Sequence, residues 1–217
     1  MRTELPLTYE FEPAKRDIPE PPVVVVLHGR GADERDLLPI ATELHDELAV
    51  ISLRAPTQLG PGYTWYELDL SGGGMAASQP DRADYLESLD LIEASIEAAI
   101  DRYDLDRARI GLLGFSQGAI MSFGALVELE VDIAWAAALH GYLPARYERV
   151  DLERAAGTPV FVAAGTNDEV IPATRAEEAA GRLTEAGVDV TFRTYPIAHG
   201  TDPAELADVR SWVQERV

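Results

Sequence analysis

The chain has 217 residues, 47% of them apolar, which suits one folded domain with a substantial core rather than a disordered segment. Acidic residues number 38 against 18 basic ones, a net charge of −20 that repels nucleic acid and anionic membrane on average. Without cysteine there is no disulfide, no thiolate metal site and no cysteine nucleophile.

Lys15 is the sole lysine, so the other 17 basic residues are arginine. An acidic surface almost without lysine is expected of a halophilic protein, since screening lengths fall to about 3 Å in 1 M salt. No apolar run approaches the ~20 residues needed to span a bilayer. The first residues, Met1-Arg2-Thr3-Glu4-Leu5-Pro6, lack the apolar stretch of a secretory signal. A cytoplasmic protein is the expectation.

In chain order, residues 8–11 predict an edge strand, followed by a proline-rich connection to Pro22. The β-branched run 23–27 reads as a central parallel strand buried on both faces. Leu37, Leu38, Ile40, Ala41, Leu44 and Leu48 then mark a helical stripe with His45 on its solvent side. Residues 49–53 form the next strand, and 58–80 read as an irregular glycine-rich loop with Gly72-Gly73-Gly74 at its middle. Apolar residues recurring every three or four positions predict an amphipathic helix over 83–103. Strands follow at 110–113, 133–139, 159–164 and 190–195, with helices at 119–126, 173–186 and 203–217. In the last helix Leu206, Val209, Trp212 and Val213 are expected to face inward. This alternation means an α/β fold with an open, mostly parallel sheet, organised as one domain over residues 1–217.

Chemistry concentrates at Gly114-Phe115-Ser116-Gln117-Gly118, a Gly-x-Ser-x-Gly turn between an apolar strand and a helix. Such a nucleophile elbow exposes the serine oxygen at the carboxyl edge of a sheet, and its glycines let strand and helix approach closely. A serine hydroxyl needs a base to take its proton and a carboxylate to orient that base. His199, in the loop between the last strand and the last helix, occupies the base position of α/β-hydrolase chain order. Asp168 follows strand 159–164 and so shares the carboxyl edge with Ser116. Asp202 is too near His199 in sequence, and Asp189 precedes its strand, at the opposite edge.

An oxyanion hole requires two N–H donors aimed at the developing charge. Gln117 supplies one from the helix start, and Arg30, in His28-Gly29-Arg30-Gly31, supplies the other. His28 is then a structural residue that bonds the loop. Trp65, Tyr66, Leu68, Met75, Tyr142 and Leu143 are candidate substrate contacts, although Trp65 and Tyr66 equally suit loop anchors. The glycines at 72–74 suit either a mobile flap or a plain excursion. No metal or cofactor is called for.

Four separated segments resemble one family. Leu27-His28-Gly29-Arg30-Gly31-Ala32-Asp33, the Gly114–Gly118 pentapeptide, Gly165-Thr166-Asn167-Asp168-Glu169-Val170-Ile171-Pro172 and Ala198-His199-Gly200 are similar, in order, to the phospholipase/carboxylesterase family. That family includes acyl-protein thioesterases and small bacterial carboxylesterases. The resemblance implies an α/β-hydrolase fold with helices on both faces of the sheet and no large cap domain. It places the triad on Ser116, Asp168 and His199 and the oxyanion donors on Arg30 and Gln117. Two positions depart from the family pattern: His140 stands where a small residue, often serine, is usual, and Ala119 where many members have glycine. Beside the site, His140 either narrows the pocket, shifts the base, or rests neutral in a hydrogen bond.

The expected activity is hydrolysis of short- to medium-chain acyl esters through an acyl-enzyme, with a small-molecule ester or thioester as partner. A thioesterase or lysophospholipase with the same triad is the alternative, and a catalytically silent binder on the same fold is a second one. Oligomeric state is left open.

Overall fold

A computed structural model describes residues 4–149 and 152–217; residues 1–3, at the head of the segment expected to lack a signal, lie outside the described residues. The strands are β1 (Tyr9–Glu12), β2 (Val23–Leu27), β3 (Ala49–Leu53), β4 (Thr57–Leu59), β5 (Gly62–Thr64), β6 (Leu68–Asp69), β7 (Gln79–Pro80), β8 (Ile110–Phe115), β9 (Trp135–Leu139), β10 (Pro159–Gly165) and β11 (Asp189–Tyr195). The helices are α1 (Leu38–Ala41), α2 (Arg82–Tyr103), α3 (Gln117–Glu128), α4 (Ala173–Glu185) and α5 (Pro203–Gln214). Among the described residues no helix is long and apolar enough to cross a membrane.

Seven strands form the central sheet in the order β1-β3-β2-β8-β9-β10-β11. All pairings are parallel except that of β1 with β3 at one edge. The chain runs outward from β2 to β3, then returns to β8 and proceeds the other way. Strand order therefore reverses between β2 and β8, whose carboxyl ends lie side by side, with Leu27 opposite Gly114. Open α/β sheets bind ligands at such a switch point.

Strand β2 shows why a continuous apolar run is needed there. Val23, Val25 and Leu27 enter the core beneath α2, α3 and α4, while Val24 and Val26 enter the core beneath α1 and α5. Helix α2 starts at Asp81, whose carboxylate accepts from the Ala83 and Asp84 amides, and ends at left-handed Asp104. Tyr85, Leu89, Ile92 and Ile96 form its buried stripe. Helix α4 gives way to Gly187 at φ 84, where a left-handed turn suits glycine.

Three expectations are corrected. The stripe at 37–48 becomes a single helical turn, α1, followed by turns. The Thr42 hydroxyl donates to the Pro39 carbonyl, and the Glu43 and Leu44 amides bond only three residues back, so the chain tightens out of the α-helix. Leu37, Ala41, Leu44 and Leu48 are nonetheless buried, whereas His45 lies off the helix, half-buried, with its Nδ1 accepting from the Glu47 amide. The stretch 58–80 is built from two hairpins, β4–β5 and β6–β7, with a 3₁₀ turn at Met75–Ala77. Leu206 is half-buried, and the residue that α5 buries in its first turn is Glu205.

The elbow depends on close approach. A Cβ on Gly118 would stand 1.8 Å from the Leu27 carbonyl oxygen, and one on Gly114 would stand 2.3 Å from the Gly118 carbonyl oxygen. Both obstacles are backbone, so no side-chain rotation relieves them. Gly118→Ala is expected to destabilise the fold by about 3 kcal/mol or more, read from the urea midpoint; a change below ~1 kcal/mol would show that the β2–α3 contact yields easily.

Candidate active site

Ser116 follows β8 at φ 55 and ψ −116, a strained conformation for a residue with a side chain. Its amide donates to the Leu139 carbonyl of the neighbouring strand end. The strain lifts the hydroxyl off the sheet, toward the loop that follows β11. There the His199 Nε2 lies 2.9 Å from Ser116 Oγ, and its Nδ1 lies 2.6 Å from Asp168 Oδ2. The three side chains form one unbroken hydrogen-bonded chain.

Asp168 is anchored from two sides. Its Oδ1 accepts the amides of Val170 and Ile171 at 2.8 and 2.9 Å, so it does stabilise its own turn. Its Oδ2 faces both His199 and His140. Burial opposes ionisation, but the bonds from His199, the Ile171 amide and His140 outweigh it and hold the carboxyl below its ordinary pKa. The Thr166 and Asn167 amides donate to the Tyr195 and Ile197 carbonyls, tying the acid's loop to the base's loop. Asp202 caps α5 through the Glu205 amide, and Asp189 opens β11 at the far edge.

The Arg30 and Gln117 amides make no hydrogen bond to protein among the described residues, and Gln117 is the first residue of α3. The Gln117 side chain works elsewhere: it accepts the Trp65 amide at 3.2 Å and donates to the Tyr66 carbonyl at 3.0 Å. Hairpin β4–β5 braces the Arg30 loop. The Gly31 amide donates to the Tyr63 carbonyl at 2.7 Å, and the Tyr63 amide donates to the Ala32 carbonyl at 2.9 Å. A Cβ on Gly62 would stand 1.9 Å from the Gly31 carbonyl oxygen. Behind the loop, Arg54 grips the buried Glu34 with two bonds of 2.6 Å, which lower the Glu34 pKa. His28 is buried and structural: Nδ1 donates to the Gly29 carbonyl, Nε2 accepts the Ala55 amide, and burial lowers its pKa.

A cleft of about 210 Å³ opens at Ser116 and His199, lined by Arg30, Tyr66, Leu68, Met75, Ile120 and Tyr142, with Ser78, Gln117, Val170 and Ile171. Two expected contacts fall outside it. Trp65 is fully buried behind the Arg30 loop, donating from Nε1 to the His28 carbonyl. Leu143 lines a separate depression with Arg175 and Arg182. Ile120, Val170 and Ile171 were not foreseen, although each lies within four residues of Ser116 or Asp168 and could have been found by that proximity. The Tyr66 hydroxyl is buried without a hydrogen-bond partner among the described residues. Ligand-type atoms of His140, Asp168 and His199 lie within 4.8 Å of one another, but they already bond among themselves.

The sequence as a whole also matches a known family. Residues 11–216 match the phospholipase/carboxylesterase family model. The chain belongs to the phospholipase/carboxylesterase family. It is 27% identical over 217 aligned residues to acyl-protein thioesterase 1 of Cryptococcus neoformans var. neoformans, covering 88% of this chain and 91% of that one. The putative hydrolase MhqD of Bacillus subtilis is 25% identical over 195 residues, covering 90% and 94% of the two chains. Among solved structures, the Bacillus cereus carboxylesterase superposes with a TM-score of 0.84 at 27% identity, over 98% of this chain and 95% of that one. Esterase PE8 gives 0.85 at 26% identity, over 97% and 99%. The fold is that of the α/β-hydrolases, and the protein is a serine hydrolase of the esterase and thioesterase kind.

The segment over the cleft is latched from α4. Arg175 lies 3.1 Å above the Tyr142 ring and donates to the Ala76 and Ser78 carbonyls, and the Tyr142 hydroxyl donates to the same Ser78 carbonyl at 2.7 Å. Gly73 and Gly74 turn with φ 111 and 99, and Leu70 and Met75 are exposed. Arg175→Ala is expected to speed limited proteolysis within residues 70–77 several-fold while leaving the global urea midpoint within ~1 kcal/mol. An unchanged cleavage rate would mean the latch holds nothing.

Proposed function

We propose that this protein is a carboxylesterase that cleaves short- to medium-chain acyl esters through a Ser116–His199–Asp168 triad and an acyl-enzyme, residues 1–217 acting as one catalytic domain. The observation that carries the reading is the continuous chain of 2.9 and 2.6 Å contacts from the Ser116 hydroxyl through His199 to Asp168. His199 takes the Ser116 proton as the oxygen attacks the ester carbonyl. The Arg30 and Gln117 amides receive the oxyanion, aided by the positive end of the α3 dipole. Asp168 keeps the imidazole oriented while it returns the proton to the leaving group and then activates water. The chemistry calls on no cofactor.

The cleft of about 210 Å³ is smaller than the roughly 300–1,000 Å³ common for drug-sized ligands, which supports a small acyl group. Ile120, Ile171 and Val170 give it an apolar wall. A thioesterase reading is favoured by the relatives named acyl-protein thioesterase 1. A panel of p-nitrophenyl esters and matched acyl thioesters separates the two. Rates are expected to peak from butyrate to octanoate and fall toward palmitate, with esters preferred. Ser116→Ala is expected to lower kcat about 1,000-fold or more and to abolish fluorophosphonate labelling. Hydrolysis persisting in Ser116→Ala would remove the triad, and an unlabelled Ser116 in the folded wild type would make the protein a binder.

The charge of −20 with a single lysine supports adaptation to salt, and the absence of cysteine is in keeping with a cytoplasmic place of work. Melting temperature is expected to rise with KCl toward molar concentrations as acidic self-repulsion is screened. A steady fall would remove the halophilic reading.

A further inference from the structure

His140 ends the strand beside the one that carries Ser116, is fully buried, and holds a left-handed φ of 56. Its ring stands between two buried carboxylates. Nδ1 is 3.2 Å from Asp168 Oδ2, and Nε2 is 3.2 Å from Glu205 Oε1 and 3.4 Å from Oε2. A carboxylate only accepts hydrogen bonds, and a neutral imidazole has a single N–H to give. Two ring nitrogens facing two carboxylates therefore require one proton more than neutral histidine provides. That proton resides either on the ring, as imidazolium, or on Glu205, as a carboxylic acid.

The surroundings favour the ring. Glu205 Oε2 makes the hydrogen bond to Nε2, while Oε1 stands within ion-pair distance at 3.2 Å without a hydrogen-bond partner among the described residues. Glu205 is the third residue of α5, where the helix dipole favours a negative side chain. Asp202-Pro203-Ala204-Glu205 has the spacing of a capping box, in which the glutamate turns back to the cap amide. Here only the Asp202 half is made, and Glu205 turns inward to His140. The titratable groups facing His140 are Asp168 from the loop after β10, Glu205 from α5, and His199, whose ring centre lies 5.8 Å away. Burial disfavours charge on the His140 ring, but Glu205 and then Asp168 outweigh it and raise its pKa.

We infer that His140 is a positioning residue of the active site, an imidazolium bridging Asp168 and Glu205 that fixes the acid and keeps a positive charge behind the base. The charge shares Asp168 Oδ2 with His199 and opposes protonation of that second ring. The extra proton follows from the donor count and its place on the ring from the surroundings, whereas the effect on rate rests on the triad reading.

Nitrogen-15 spectra of the histidine rings test the first part without any turnover. At pH 7.5 wild-type His140 is expected to give imidazolium resonances, and Glu205→Gln is expected to convert them to a neutral tautomer. For the second part, His140→Asn tolerates the left-handed backbone and keeps a donor near the Nδ1 position. Its ascending limb of kcat/KM is expected to move up by on the order of 1 pH unit, with KM little changed. Should Glu205 left unpaired prevent folding, His140→Asn/Glu205→Gln removes both charges and is expected to show the upward displacement too. A neutral His140 in the wild type would overturn the inference, as would an unmoved limb in the folded variant. Failure of the triad itself would register separately, as hydrolysis by Ser116→Ala.

Discussion

The molecule turns on a backbone contact rather than a side-chain one. Helix α3 can follow β8 so abruptly only because Gly118 presses against the Leu27 carbonyl and Gly114 against the Gly118 carbonyl. That approach sets the first residue of α3 over the end of β2, at the point where strand order reverses. The strained Ser116, the amide of Gln117 and the loop bearing Arg30 then fall within one small volume. A methyl group in the wrong place would separate them, which is why the pattern demands glycine at those two positions.

Around this contact the site is assembled from parts remote in sequence. Backbone bonds join the loop of Asp168 to the loop of His199, so the two side chains are carried by one connected piece of backbone. The Gln117 side chain fastens the segment of Trp65 and Tyr66 to the start of α3. Every polar group of Asp168 is engaged, two contacts to amides and two to imidazoles. Such complete pairing lets a buried carboxylate keep its charge and its direction.

Much of this was legible in the sequence because it is local or periodic. The all-valine core of β2, the long stripe of α2 and the Gly-x-Ser-x-Gly turn each announce themselves within a few residues. Strand-helix alternation then places the loops of Ser116, Asp168 and His199 at one edge, and their side chains do meet there. What escaped depends on distant partners. The stripe at 37–48 has helical spacing, but Pro39 and Thr42 divert it after one turn while its leucines still find the core. Trp65 suits either a pocket wall or a loop anchor in the sequence, because an aromatic on a loop near the edge carries no mark of facing inward, and the structure has it as the anchor. The pairing of His140 with Glu205 spans 65 positions, and no local pattern signals it.

The brace beneath the Arg30 loop has an evolutionary consequence. Gly62 sits flush on the Gly31 carbonyl, and Tyr63 pairs with the backbone on either side of it, so hairpin β4–β5 and that loop form one rigid unit. Hairpin β6–β7 begins beyond it, at Leu68, and is joined to the body by side chains, among them Arg175, Tyr142 and Gln79. Insertions and deletions between residues 68 and 80 can therefore accumulate without disturbing the Arg30 loop. The rim of the cleft can thus be rewritten over a dozen residues while the backbone beneath the Arg30 loop keeps its shape.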